Sequence, residues 1–144
     1  MAATHVRDPR ARLGGLCAIG LSKRSRRTLS YALELGRLTD AIVTVLHVWD
    51  GVGGQRMRAF REAEVNQRLH AAVLAEDAQG RPVEEVVRAG KAHREILRLA
   101  EAQQAGLIIL GSDDQSLGST PSRVVREAKA PVLIVRSAPG ESQS

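Results

Sequence analysis

The sequence predicts a single α/β domain: five strands in a mostly parallel sheet, with helices on both faces. Three observations predict it. Five short apolar runs alternate with four segments of helical period along the chain, the order expected of a sheet built from right-handed crossovers. The runs AIVTVLHVW and LIIL show no polar alternation, as strands covered on both faces do not. With 144 residues, 43% of them hydrophobic, the chain is long enough for one domain with a real core.

Residues 1 to 12 are polar, charged and broken by Pro9, and are expected to form a flexible N-terminal arm. The domain is expected over 13–136, and 137–144 read as a loose C-terminal tail of small residues. LGGLCAIGL at 13–21 contains the first strand; Gly14 and Gly15 weaken it, and Leu16 to Ile19 form its buried centre. Ser22 or Ser25 can cap the following helix. Leu29, Ala32, Leu33 and Gly36 share one face of that helix, and Gly36 permits close packing. Ala41 to Trp49, rich in β-branched residues, is the second strand, and Asp50 to Gly54 a glycine-rich loop.

A long helix is expected from about 55 to 77. Met57, Phe60, Leu69, Ala72 and Val73 supply its inner face, and Gly80, Arg81 and Pro82 end it. Val83 to Val87 is a short strand, followed by a turn at Ala89-Gly90. Ala92 to Ala105 is the clearest helix, with Ile96, Leu97, Leu99 and Ala100 inward and Gly106 as its C-terminal cap. Leu107 to Leu110 is a fully apolar strand and Gly111 to Gly118 a polar loop. Ser119 or Thr120 caps a last helix that carries Pro121 at its first position, with Val124, Val125 and Ala128 facing inward until Pro131 stops it. Val132 to Val135 is the final strand.

Composition excludes several classes. No apolar run approaches the ~18 residues a membrane span needs, and the N-terminus lacks the apolar stretch of a secretory signal. The lone Cys17 excludes an internal disulfide and a multi-cysteine zinc site, so a cytoplasmic location is expected. The net charge is +5, and arginine dominates the 21 cations. That balance suggests nucleic acid first, but the charge is spread out and only Tyr31, Trp49 and Phe60 are aromatic. Base-stacking platforms are nearly absent, solvated helix faces account for most of the charge, and nucleic acid is not the expected partner.

Open parallel sheets take ligands beyond the carboxyl ends of their strands, where strand order reverses. Two segments should meet there: Gly20 to Arg24 and Gly111 to Thr120. Gly111, Ser112, Gly118, Ser119 and Thr120 are the candidate binding residues, because free backbone N–H groups at a helix start, with hydroxyls beside them, make an anion site. Read from residue types alone, a plain helix cap at Ser119 or Thr120 is the simpler account. His47, inside a strand, reads as a packed, hydrogen-bonded histidine and Cys17 as a small core residue. His5, His70 and His93 are too scattered for a metal site, and the adjacent Asp113 and Asp114 read as a polar turn rather than a catalytic pair.

The segment order resembles the universal stress protein family. The likeness is carried by VTVLHVWD at 43–50, VRAGKAHREIL at 87–97 and LIILGSDDQSLGSTPSRVVREAKAPVLIVR at 107–136. The resemblance implies a Rossmann-like domain of the adenine nucleotide alpha hydrolase-like kind, commonly dimeric, acting in stress survival, with ATP bound by some members. Members that bind resemble one another in a Gly-x2-Gly-x9-Gly-Ser/Thr loop. Gly111 matches its first glycine and Gly118-Ser119 its last pair; Asp114 stands at the middle glycine, and the loop has about half the pattern's span. An aspartate carried near the adenine by such members is absent from Ile19-Gly20-Leu21-Ser22.

Asp113 and Asp114 bring carboxylates to the expected phosphate position. Two unit charges ~5 Å apart repel by roughly 3 kcal/mol at an effective dielectric near 20, less when exposed. Mg²⁺, or the cations Lys23, Arg24 or Lys91, could offset this. The leading expectation is therefore a non-enzymatic stress-response module with a shortened, degenerate nucleotide loop, no catalytic residues, no cofactor and no bound metal. Its role would come through protein partners. The alternative is an ATP- or AMP-binding sensor, with Mg²⁺ and with weak or no hydrolysis. The final strand should lie at a sheet edge, so a homodimer is expected in which Val132 to Arg136 pairs antiparallel across a twofold axis.

Overall fold

The computed structural model describes residues 14–76, 82–112 and 118–136. The expected N-terminal arm, the C-terminal tail, Gly80, Arg81, and the acidic pair Asp113 and Asp114 lie outside the described residues. Nine elements follow one another: β1 (Gly15–Ala18), α1 (Ser25–Thr39), β2 (Val43–Trp49), α2 (Gln55–Ala75), β3 (Val83–Ala89), α3 (Ala92–Gln103), β4 (Leu107–Ser112), α4 (Ser119–Glu127) and β5 (Val132–Arg136). The strands form one sheet in the order β3-β2-β1-β4-β5, and every pairing is parallel.

Strand alternation divides the core in two. Cys17, Val43, Val45 and Ile109 point to the face covered by Leu29 and Ala32 of α1 and Leu69 and Val73 of α2. Leu16, Leu46, Ile108 and Leu110 point to the opposite face, under Ile96, Leu99 and Ala100 of α3 and Val124 of α4. Both faces are therefore apolar, which is why the strands show no polar alternation in sequence. Gly36 lets α1 lie close on β2, since a Cβ there would come within 2.5 Å of Val43 Cγ2.

Several local expectations are corrected. β1 begins at Gly15, not Leu16, because strands on both sides supply ladder partners at Val43 and Leu107. Neither Ser22 nor Ser25 caps α1 with its side chain: Arg24 occupies the cap, and the Ser22 carbonyl accepts from the Ser25 N–H at 3.1 Å. Met57 (53% exposed) and Phe60 (66%) are outside the core; only Leu69 and Val73 of α2 are buried. The helical period runs beyond the sheet's cover, and among the described residues nothing buries the first half of α2.

α3 stops at Gln103, and its left-handed terminal residue is Gln104 (φ 51°), two positions before the glycine expected there. The Gln104 N–H still reaches the Ala100 and Glu101 carbonyls, so tertiary packing overrides the residue preference. α4 is capped by Gly118 without a side-chain hydrogen bond from Ser119 or Thr120, so Pro121 is its third residue rather than its first. That helix ends at Glu127, ahead of Ala128 and Pro131, and its Val125 is 48% exposed rather than inward. β3 and β4 each run two residues further than expected, to Ala89 and Ser112.

Candidate functional site

Strand order turns at β1. β2 and β3 extend from one side of it, β4 and β5 from the other. The crevice between the carboxyl ends of β1 and β4 is the place where such sheets hold ligands. Its floor is set by two strand exits. The Ile19 N–H, just past β1, donates to the Leu46 carbonyl at 2.9 Å. The Ile19 carbonyl lies 2.8 Å from His47 Nδ1. A carbonyl can only accept, so Nδ1 carries the proton and His47 is a pinned structural donor, as its strand position predicts. At the other exit Gly111 lies directly over Thr28 of α1, in space where a Cβ would collide with the threonine hydroxyl.

These elements enclose a cleft of about 290 Å³. Gly20 and Ser22 form its wall on the β1 side, Gly111 and Ser112 on the β4 side, and Gly118 and Pro121 at the start of α4. Arg24, Ser25, Arg27 and Thr28 come from the cap and first turn of α1, and Arg136 from the end of β5. None of the described lining residues is a carboxylate, imidazole or thiol; three are guanidinium groups and four are hydroxyls. Arg27 sits with its guanidinium carbon 5.5 Å from the Tyr31 ring centre, a cation–π arrangement. Its Nε–H is sealed from solvent and has no acceptor among the described residues, a condition that costs about 1–3 kcal/mol for a polar group. Neighbouring Arg26 instead pairs with Glu76 at 3.2 Å.

Gly111, Ser112 and Gly118, singled out in the sequence, share this cleft; Ser119 and Thr120 follow on the first turn of α4 and are not among its lining residues. Of the cations named as compensating charge, Arg24 lines the cleft. Lys23 lines a separate apolar hollow of about 260 Å³ against α2, and Lys91 caps α3. Arg27, Thr28 and Arg136 were not anticipated. The signal for Arg27 was present, as a run of cations entering a helix N-terminus where anionic groups are favoured. Nothing local marks Arg136, which arrives through the β4–β5 pairing.

Cys17 is buried in β1, and burial pushes its thiol up to about 12, so it is an inert core residue. Among the described residues no three His, Cys, Asp or Glu side chains gather as metal ligands, and no helix is long and apolar enough to cross a membrane.

The chain is 30% identical over 112 residues to universal stress protein G of Shigella flexneri, an alignment covering 67% of this chain and 79% of that protein. The structure of a universal stress protein from Archaeoglobus fulgidus superimposes with a TM-score of 0.71 at 26% identity, covering 85% of this chain and 97% of that one. The universal stress protein from Archaeoglobus fulgidus in complex with dAMP gives a TM-score of 0.69, also at 26% identity, over 85% and 96% of the two chains. The family model of the universal stress proteins matches residues 16–136, from β1 through the end of β5, and this chain belongs to that family.

Proposed function

We propose that this universal stress protein is a non-enzymatic, cytoplasmic binding module whose switch-point cleft takes a nucleoside monophosphate. The observation that carries the reading is the gathering of three guanidinium groups around the cleft. Arg24, Arg27 and Arg136 converge at the carboxyl ends of β1, β4 and β5, beside the start of α4, with no carboxylate among the described lining residues. Backbone N–H groups at the α4 start and guanidinium groups both favour a phosphate. The span from Gly111 to Gly118 is about half that of the family's pattern, which supports a ligand with one phosphate rather than three. The dAMP complex of the Archaeoglobus fulgidus relative supports the same class of ligand here.

Calorimetry with AMP tests the reading. Micromolar binding is expected, with ATP bound no more tightly. Gly118→Val should weaken AMP at least tenfold, because Gly118 adopts φ +85°, a conformation strained for valine, and so sets where the α4 donors point. Absence of AMP binding, or hydrolysis of ATP by the purified protein, would refute it.

The reading includes a homodimer through β5. Among the described residues that strand is an edge of the sheet, bonded by β4 on one side, and its apolar run VLIV invites a second copy. Sedimentation at micromolar concentration should give a dimer for the natural chain. Ile134→Pro should give monomer and lower stability together, because proline removes a ladder donor. A monomeric natural chain would remove this part of the proposal.

A further inference from the structure

We infer that the outward side of α2 is a self-association surface, on which a second copy of this chain lies antiparallel across a twofold axis at Gln67. The observation is a stripe. Phe60, Ala63, Gln67, Ala71 and Leu74 succeed one another by the three- and four-residue steps that keep side chains on one side of a helix. All five are exposed, and Phe60 and Leu74 leave two large apolar groups in solvent. Leu69 and Val73 bury the other side of α2 on the sheet. Single apolar residues on a surface are ordinary, but a periodic row of them on a helix marks a contact face.

The order of sizes points to the occupant. From either end the stripe reads large, small, amide, small, large. A copy laid on it in the reverse direction sets Ala63 against the partner's Ala71, where two crossing helices approach most closely. Phe60 and the partner's Leu74 then fill the widening gap at each end. Gln67 meets the partner's Gln67 on the axis, and two amides donate and accept in both directions, which fixes the register. Residue i meets residue j and j meets i, as a twofold contact requires.

Charge favours the same direction. Antiparallel helices oppose their dipoles, and this register brings Glu64 beside the partner's Arg68. Neither side chain makes an ion pair among the described residues; Arg68 gives an Nη2–H to the Leu21 carbonyl at 3.2 Å and keeps its other donors. The face is also separate from β5. α2 stands beside β3, joined to it by His70 and Glu85 at 2.9 Å, while β5 lies at the opposite edge of the sheet. One chain can therefore hold both contacts, and neither the cleft nor its ligand enters. Phe60 and Leu74 are about 21 Å apart along the helix. A strip of that length and one helix wide falls well short of the about 800 Å² per partner of a stable interface, so the association is reversible and belongs to high concentration.

Sedimentation of the full chain at about 5 and about 500 µM tests this, and the weight-average mass should rise by about half or more between them. Phe60→Glu should keep the circular dichroism of the natural chain and abolish the rise, because it sets a carboxylate against the partner's Leu74. Should that variant misfold, Leu74→Glu decides in its place. Glu62→Gln, off the stripe, should associate as the natural chain does. Direction is read by cross-linking at the higher concentration with oxidised glutathione as oxidant; Cys17 is buried and does not compete. Phe60→Cys and Leu74→Cys should link to each other when mixed and not to themselves, since a disulfide needs Cα atoms within about 7 Å. No rise in the natural chain overturns the inference and leaves the stripe to a foreign partner. A rise that survives in Phe60→Glu places the association elsewhere, at β5, and overturns it as well. Phe60→Cys linking to itself means a parallel pair and overturns the antiparallel register.

Discussion

Leu69→Ala is expected to lower the unfolding free energy by about 3 kcal/mol, within the 2–5 range for truncating a buried leucine. Phe60→Ala, on the same helix, should change it by less than about 0.5 kcal/mol, as exposed surface positions do. Leu69 is fully buried, and it shares with Val73 the whole of α2's fully inward contact. Nine residues earlier, Phe60 stands in solvent. A 21-residue helix is thus held to the sheet by one end. Urea unfolding followed by circular dichroism would measure both variants. For a chain of this size the first corresponds to a drop in melting temperature of roughly 10 °C. Amide exchange should show the same asymmetry, with little protection before Val65 and strong protection around Leu69. Equal losses at the two positions would mean that the helix packs along its whole length.

Gly111→Ala is the second large effect, and it is expected to be conditional. An alanine Cβ at Gly111 would drive into the Thr28 hydroxyl, which is itself buried beneath the cleft. Overpacking of this kind costs typically 1–3 kcal/mol. The colliding atom is a single oxygen. With Thr28→Ala in place, the nearest remaining atom to the new methyl group is the residue-28 Cβ at 3.6 Å, an ordinary contact. The double variant should therefore recover most of the stability lost by Gly111→Ala alone, with a coupling of about 1–2 kcal/mol in a double-mutant cycle. Additive losses would show that Gly111 is required for another reason, such as backbone freedom at the β4 exit. The glycine's φ gives no ground for that, since the positive-φ glycines are Gly51, Gly53, Gly90 and Gly118.

The same pair explains why the family's first loop glycine is legible in sequence while its physical reason is not. Gly111 stands out at the end of LIIL, and its position in a Gly-Ser pair points to a phosphate loop. The atom that demands a glycine there is on α1, more than eighty residues earlier in the chain. Thr28 carried no signal of its own, being one polar residue on an otherwise amphipathic helix. Arg27 is legible in sequence only as one cation of a run. Only the placement of α1 across β1, β4 and β5 turns that charge toward the cleft.

The helix ends show the limit in another form. Gly106 and Pro121 have the residue types favoured at a C-cap and at a first helical position, yet Gln104 and Ser119 occupy those places. A preference worth about 1 kcal/mol yields to the register imposed by packed neighbours. In α2 the error ran the other way. The period near Met57 and Phe60 was real, but periodicity describes a face and not what covers it.

Element order, the parallel sheet with two covered faces, the core place of Cys17 and the family were all determined by the amino-acid sequence, because they rest on local periodicity and on runs of apolar residues that any compact chain must bury. The tertiary structure alone decided that Arg27 and Arg136 face one cleft, that Thr28 demands Gly111, and that half of α2 stands clear of the sheet. Each of these is a relation between residues distant in the chain, set by strand pairing and helix placement, and no window of neighbouring residues contains it.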